Sequence, residues 1–332
     1  MRDLTDDVAL MRPVIDALRA SGTDPDKVLV RVGLPPGGLP AGRFPHAAQT
    51  QFWKAAAAEC GEEHVGLYLA GHLPAFHGLL LEYLFLSSGT FGEGLRHALR
   101  YVRLLSDTLS AHLEVEDDRA VLSLGRHAGS NRHFPEMLAG AVIRLFHALT
   151  DGQFKPHEVQ LMHAEGAPAE RYHSVYGCPA RLGADRYALI FDAEVLDKPS
   201  RHAALDLLRM HESLARRQLA EVERLDLVRQ VRELIGELLV DGGATLEQVA
   251  ARLNMPARRL RERLATAGVR FNDLVTDYRC RLAKELLLKT DERIEVIVER
   301  TGFSEPSTFY RAFKRWVGET PVEFRRKGKG EG

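Results

Sequence analysis

TLEQVAARLNMPARRLRERL, Thr245 to Leu264, and RIEVIVERTGFSEPSTFYRAF, Arg293 to Phe313, are two copies of one pattern, superposed at an offset of 48 residues that becomes 49 after the turn. In the first, Leu246, Val249, Ala250 and Leu253 recur at the spacing of a short amphipathic helix. Asn254 and Met255 interrupt it, and Leu260 and Leu264 restart a helical period. The second copy puts Ile294, Ile297 and Val298, then Gly302 and Phe303, then Phe309 and Phe313 in the same places. Asn254 and Gly302 stand where a left-handed backbone is expected, which Gly adopts freely and Asn tolerates better than most residues. Pro256 falls at the start of the next helix, where its missing N–H is harmless, and Ser304 is expected to cap the other. Two short helices about such a turn form a helix-turn-helix, whose second helix is presented to the DNA major groove. Any pair of amphipathic helices with a glycine turn imitates one copy; two copies are much more specific.

Between the copies, Phe271 to Thr290 reads as one longer helix with Leu274, Tyr278, Leu282, Leu286 and Leu287 inward. A spacer of that kind holds two reading helices about one DNA turn apart, roughly 34 Å. The outer positions carry suitable chemistry. Arg258, Arg259, Arg261 and Arg263 crowd the first reading helix, and Ser307, Thr308, Tyr310, Arg311, Lys314 and Arg315 line the second. Arginine bonds a guanine edge bidentately or neutralises a phosphate, and hydroxyls serve either role. Arg263 and Arg315 are as well explained as solubilising charges. From Asp241 onward the chain has 19 Lys and Arg against 14 Asp and Glu, a net of +5, whereas the first 240 residues carry −6 of the overall −1. A basic C-terminal third behind an acidic body fits one segment that meets a polyanion and another with a different task.

The run Arg293 to Arg326, with its GF turn, the F-x-R-x-F-K helix and a G-x-x-P-x-x-F-R ending, resembles the signature of AraC/XylS-type bacterial transcription regulators. The resemblance covers about Leu234 to Arg326. It implies two helix-turn-helix units joined by a linker helix, binding an asymmetric promoter site on double-stranded DNA and usually activating transcription through contact with RNA polymerase. By that pattern Arg258, Arg261 and Glu262 face bases from the first unit, and Pro306, Ser307, Thr308, Tyr310 and Arg311 from the second. Arg259 and Lys314 join them as flanking DNA contacts on the residue chemistry. Two positions depart from the pattern: Glu262 stands where Arg is common, and Val298 replaces a small Ala at the crossing of two helices.

Val14 to Pro199 is similar to the effector-binding region of one AraC-type subgroup, often labelled an arabinose-binding domain, to which ornithine-utilisation and mycobacterial virulence regulators belong. The label alone does not establish a sugar ligand. From the residues, helices are expected at Val8–Ala20, Gln49–Cys60, Gly78–Leu86, Phe91–Leu105, Pro135–Thr150 and Ala203–Ile235. The alternating segments HLEVEDDRAVLSLGRH, EVQLMHA and RYALIFDA read as strands, with Asp117 and Asp118 turning the first into a hairpin. The expected fold is therefore an N-terminal α+β effector or dimerisation domain over residues 1–200 and an all-α double helix-turn-helix domain over 234–327. A helical connector over 201–233 and a flexible tail over 328–332 complete the division. In the connector Leu214, Leu219, Val222, Leu225, Val228, Val231, Leu234 and Leu238 follow at threes and fours, as either a core-facing stripe or the seam of a homodimer.

Forty-five per cent hydrophobic residues exclude a disordered chain, and Cys60, Cys178 and Cys280 are too few and too far apart for a disulfide framework or a metal pair. No apolar run is long enough for a signal peptide or membrane span, so a cytoplasmic, nucleoid-associated protein with no membrane partner is expected. Fourteen His residues raise the question of catalysis, but none falls in H-E-x-x-H and no G-x-S-x-G or phosphate-cradling glycine loop exists. We expect no enzyme, no catalytic residue, no metal and no cofactor. His72, His77, Tyr101, Arg103, Leu105 and His163 are candidate effector contacts, against a plainer reading of each as surface or core. The expected function is an effector-controlled transcription regulator. The alternative is a regulator whose N-terminal domain only dimerises or binds a protein partner.

Overall fold

The computed structural model describes residues 4–39, 42–125, 131–240, 244–328 and 330. The chain divides into two compact units, Met1–Leu219 and Ala220–Gly332.

The first unit has two hydrophobic clusters. Helices α1 (Arg12–Ala20), α2 (Pro25–Arg31), α3 (Ala48–Cys60) and α4 (Val65–Ala70) enclose one of them around Trp53, with a ribbon of β1 (Thr5–Asp7) and β2 (Arg43–Pro45) alongside. Asp24 caps α2 by accepting from Asp26 N–H, and α3 stops at Gly61, whose φ of 63° only glycine adopts without strain. The second cluster lies between a sheet and the helices α5 (Leu80–Leu86), α6 (Phe91–Arg100) and α7 (His133–Leu149). The sheet strands are β3 (Ala111–Glu116), β4 (Arg119–Leu124), β5 (Pro156–Gln160), β6 (Ala180–Arg181) and β7 (Tyr187–Asp192), with α8 (Ala169–Tyr176) between β5 and β6. Their order is β3-β4-β7-β5-β6, antiparallel except for the β5–β6 pair. Asp117, at φ 53°, turns the β3–β4 hairpin. Ala120 and Leu122 of β4 and Leu189 and Phe191 of β7 face the helices, as strand alternation requires; there Phe85, Phe91, Phe146 and Phe154 pack on one another edge to face and stacked, and Phe154 meets Phe191 at a tilt. Helix α7 serves both clusters, Phe134 and Met137 one and Ile143 and Phe146 the other.

The helices and strands expected from periodicity form, within a few residues. The end of the first strand segment at Arg126–His127 lies outside the described residues, as do residues 329, 331 and 332 of the tail. Helix α9 (Leu205–Val240) contains the division between the units. In its first half Ala215 is buried; in its second, Leu227, Val228, Val231, Ile235, Leu238 and Leu239 are. Of the expected stripe, Val228, Val231 and Leu238 face the core, whereas Leu214 and Leu225 are exposed, because each half of the helix turns a different face to its own unit.

The second unit holds the rest of α9 and α10 (Leu246–Arg252), α11 (Ala257–Thr266), α12 (Phe271–Lys289), α13 (Ile294–Arg300), α14 (Pro306–Val317) and α15 (Pro321–Gly328). Its hydrophobic residues form two clusters, one per helix pair.

Candidate functional site

The two helix pairs share a turn, bond for bond. In the first, Asn254 N–H donates to Ala251 O (3.0 Å) and Met255 N–H to Ala250 O (3.0 Å); in the second, Gly302 N–H donates to Glu299 O (2.8 Å) and Phe303 N–H to Val298 O (3.0 Å). Each is a Schellman turn, with its left-handed residue Asn254 at φ 53° and Gly302 at φ 74°. The offset of 48 residues between the sequence copies is therefore an offset between hydrogen bonds. Thr245 starts α10 with a capping box, its hydroxyl accepting from Gln248 N–H while Gln248 Oε1 accepts from Thr245 N–H. At α14 the structure corrects the expected cap: Glu305 occupies the N-cap position without a side-chain capping bond, and Pro306 takes the first helical position. The one extra residue after this turn displaces Ser304 from the cap.

Helix α12 joins the pairs physically. Leu274, Val275 and Tyr278 in its first half belong to the first cluster, with Val249, Leu260 and Leu264; Leu282, Ala283, Leu286 and Leu287 belong to the second, with Ile297, Val298, Phe309 and Phe313. The guanidinium of Arg279 lies over the Phe303 ring at 4.9 Å and donates to Gly302 O at 3.1 Å, while burial pulls its pKa below the usual arginine value. A Cβ at residue 302 would come within 2.8 Å of Leu239 Cδ2 and 3.2 Å of Arg279 Nη2. Glycine is thus required there both for its backbone angle and for space.

With Leu260 and Leu264, and Phe309 and Phe313, fully buried at four-residue spacing, the opposite faces of α11 and α14 are turned to solvent. Arg258, Arg259, Arg261 and Glu262 are exposed on α11; Pro306, Ser307, Thr308, Arg311 and Lys314 are exposed on α14. Tyr310 is half-buried at the rim of the second cluster. Glu262 Oε1 accepts from Arg258 Nε at 2.9 Å, an exposed pair one helical turn apart. Arg259, Arg261 and Arg311 have no carboxylate within salt-bridge distance among the described residues. The unit therefore presents two basic helix faces on a shared scaffold, the second also bearing hydroxyls, the arrangement in which side chains reach phosphates and base edges.

The first unit contains a cavity of about 140 Å³ between α5, α6, α7 and the β3–β4 hairpin. Its lining is aliphatic and aromatic throughout, including Leu81, Phe85, Leu99, Leu124, Val142 and Leu145, apart from His77 and Glu82. Glu82, on the first turn of α5, folds back to accept from His77 N–H (2.9 Å) and Leu79 N–H (3.1 Å) through one oxygen and bonds His77 Nδ1 (2.6 Å) through the other. Of the sequence candidates, His77 and Leu105 line this cavity. His72 packs at a tilt against the Tyr68 ring at 4.6 Å and bonds the Tyr68 carbonyl, and Tyr101 is buried. Arg103 stands 4.0 Å from Asp107. His163 bonds the buried Glu136 at 3.1 Å, as does the Tyr172 hydroxyl at 2.5 Å, and burial lowers the His163 pKa. Glu82 was not among the candidates; its signal is a lone carboxylate at the third position of an otherwise apolar helix.

Residues 22–200 match the family described as "Arabinose-binding domain of AraC transcription regulator, N-term", and residues 249–327 match a helix-turn-helix domain. The chain is 30% identical over 292 residues to the ornithine utilization regulator of Pseudomonas aeruginosa, covering 86% of this chain and 85% of that protein. It is 26% identical over 331 residues to the HTH-type transcriptional regulator VirS of Mycobacterium tuberculosis, covering 94% of each. Among solved structures, the transcriptional regulator CdpR of Pseudomonas aeruginosa is 21% identical with a TM-score of 0.45, over 93% of this chain and 97% of that one. These relatives are named as regulators, not enzymes. Among the described residues no helix is long and apolar enough to cross a membrane.

Proposed function

Because this chain belongs to the AraC family of DNA-binding transcription regulators, we propose that it is an activator whose grip on promoter DNA is set by a small-molecule effector in the first unit. The observation that carries the DNA reading is the pair of exposed basic helices, α11 and α14, built on the two halves of α12. Each enters a major groove of the duplex, in successive turns. Arg258, Arg259, Arg261 and Glu262, whose carboxylate competes with DNA for Arg258, form the first reading face; Pro306, Ser307, Thr308, Tyr310, Arg311 and Lys314 form the second. The residue division proposed is a regulatory domain over 1–200, a connector over 201–233, the DNA-binding domain over 234–327 and a tail over 328–332. Such a regulator works on the chromosome, in the cytoplasm, and activates by contact with RNA polymerase.

The effector occupies the cavity beside His77. Helices α5 and α6, which line it, also carry the first half of α9: Ser87 Oγ lies 3.2 Å from His211 Nδ1, and Arg100 donates to Glu212 at 3.5 Å. A ligand that fits one arrangement of α5 and α6 better than another biases the register of α9, which continues into the DNA-binding unit; without that difference in affinity it shifts nothing. Leu207, Met210 and Leu214, exposed at helical spacing on α9, are where a second copy packs in a homodimer. The test is fluorescence anisotropy of labelled promoter duplex with the full chain, titrated in the presence and absence of a metabolite panel. A compound that changes the DNA affinity supports effector control. DNA binding that no compound alters favours the dimerisation-only reading.

A further inference from the structure

Apart from His77 and Glu82, the lining of the first unit's cavity offers a ligand only hydrocarbon. The side chains of both are about 95% buried, 5% and 6% exposed. Glu82 is fully engaged: one oxygen takes two backbone N–H groups and the other takes the imidazole Nδ1. The far nitrogen of the ring, His77 Nε2, is buried and has no hydrogen-bond partner among the described residues. A buried polar atom left unpaired is destabilising, so Nε2 stands as an unmet demand in the wall of an otherwise apolar chamber.

From this geometry we propose that the cavity takes a compact apolar molecule bearing a single hydroxyl, with the hydroxyl on His77 Nε2 and the hydrocarbon body among Phe85, Leu99, Leu124, Val142 and Leu145. This rests on the effector reading above and names the class of effector. Size supports it, since a dry cavity of about 150 Å³ lined by Leu, Ile and Phe accepts benzene. Chemistry supports it too. A hydroxyl both donates and accepts, so it satisfies Nε2 whether that nitrogen presents a lone pair or a proton. A monosaccharide is excluded by the same count: each of its several hydroxyls needs a partner, and one nitrogen is free. The cavity thus contradicts the sugar in the family's label while keeping the family's use of this unit as a sensor.

The test is isothermal titration calorimetry on the full chain with p-cresol, its isostere p-xylene, 1-heptanol and L-arabinose. The expected result is that p-cresol binds about tenfold tighter than p-xylene despite being the less hydrophobic of the two. In His77→Leu the preference reverses, because the hydroxyl then lacks a partner. Ala141→Leu, which keeps His77 and fills part of the cavity, weakens both ring compounds together; it serves if the His77 variant does not fold. Binding of 1-heptanol alongside p-cresol places aliphatic alcohols in the class, and its absence restricts the class to phenols. Equal affinity for p-cresol and p-xylene, or binding of none of the three apolar probes, overturns the proposal. So does binding of L-arabinose in their place, an outcome that leaves effector control standing. Effector control fails separately, in the DNA-affinity titration above.

Discussion

Replacing Gly302 by Ala tests whether the second helix-turn-helix is held in the way its contacts indicate. Three costs are read from the structure. An L side chain at φ 74° costs roughly 1–2 kcal/mol. Its Cβ would sit 2.8 Å from Leu239 Cδ2, a buried side chain that can yield only by leaving its rotamer, at about 0.5–1.5 kcal/mol. The same Cβ presses Arg279 Nη2 at 3.2 Å, and losing the Arg279 bond to Gly302 O costs a further ~1.5 kcal/mol or more. Together these give about 3–5 kcal/mol, which at a urea slope near 1.5 kcal/mol/M lowers the midpoint by about 2–3 M. The assay uses the two tryptophans, Trp53 in the first unit and Trp316 in the second, beside Phe303. In a Trp53→Phe background, fluorescence follows Trp316 alone. The sister position supplies the control: Asn254 already occupies the left-handed conformation, so Asn254→Gly leaves the midpoint unchanged or raises it slightly. A Gly302→Ala midpoint within about 0.5 M of its background refutes the reasoning, since neither strain nor collision would then exist.

Arg311→Ala should cost about 1–3 kcal/mol at its cognate base pair and relax specificity there; a uniform loss with a salt slope flatter by about one unit would make Arg311 a phosphate contact, and no change would remove it from the interface. Glu262→Ala releases Arg258 from an exposed pair worth only about 0.3–0.5 kcal/mol, so stability should hardly change while DNA affinity rises and its salt slope steepens, both read by anisotropy. His211→Ala together with Glu212→Ala should leave calorimetric ligand binding intact but abolish the response of DNA affinity to that ligand. Burial holds the His163 pKa below its ordinary 6.5, so the unfolded chain binds its proton first. The associated stability is complete above about pH 6.5 and is lost as pH falls toward the lower folded value. Urea midpoints followed through Trp53 should therefore drop between pH 7.5 and 5.5, and less so in His163→Gln.

The double helix-turn-helix was readable because its signals are local. A short apolar period, one left-handed residue and a second period decide each pair, and the copy 48 residues on repeats them down to the backbone bonds. The Ser304 cap was misplaced by the single extra residue after the second turn. In the first unit, the strands carried by strict alternation and the long helices were legible. Helices α2, α4 and α8 were not: each is short, and unlike the equally short α10 and α13 none belongs to a repeated pattern that marks it out. The two-residue strand β6 exists only through its pairing with β5, which no local pattern encodes. Along helix α9 the periodicity alone did not show where burial changes face, because the helix serves two units. At the cavity, His77 and Leu105 were within reach of a sequence reading. What singles out His77 over His72 and His163 is a chain reversal that brings Glu82 against one ring nitrogen and leaves the other bare, and that follows from tertiary structure alone.

The central claim is that two recognition helices on one linker read one duplex. Selection of bound duplexes from a random-sequence pool by the full chain, followed by sequencing, tests it most directly. The account predicts two separate blocks of enriched bases centred about 10 base pairs apart, one of which loses its enrichment in Arg311→Ala while the other persists. A single block, or two blocks that both survive Arg311→Ala unchanged, would contradict it.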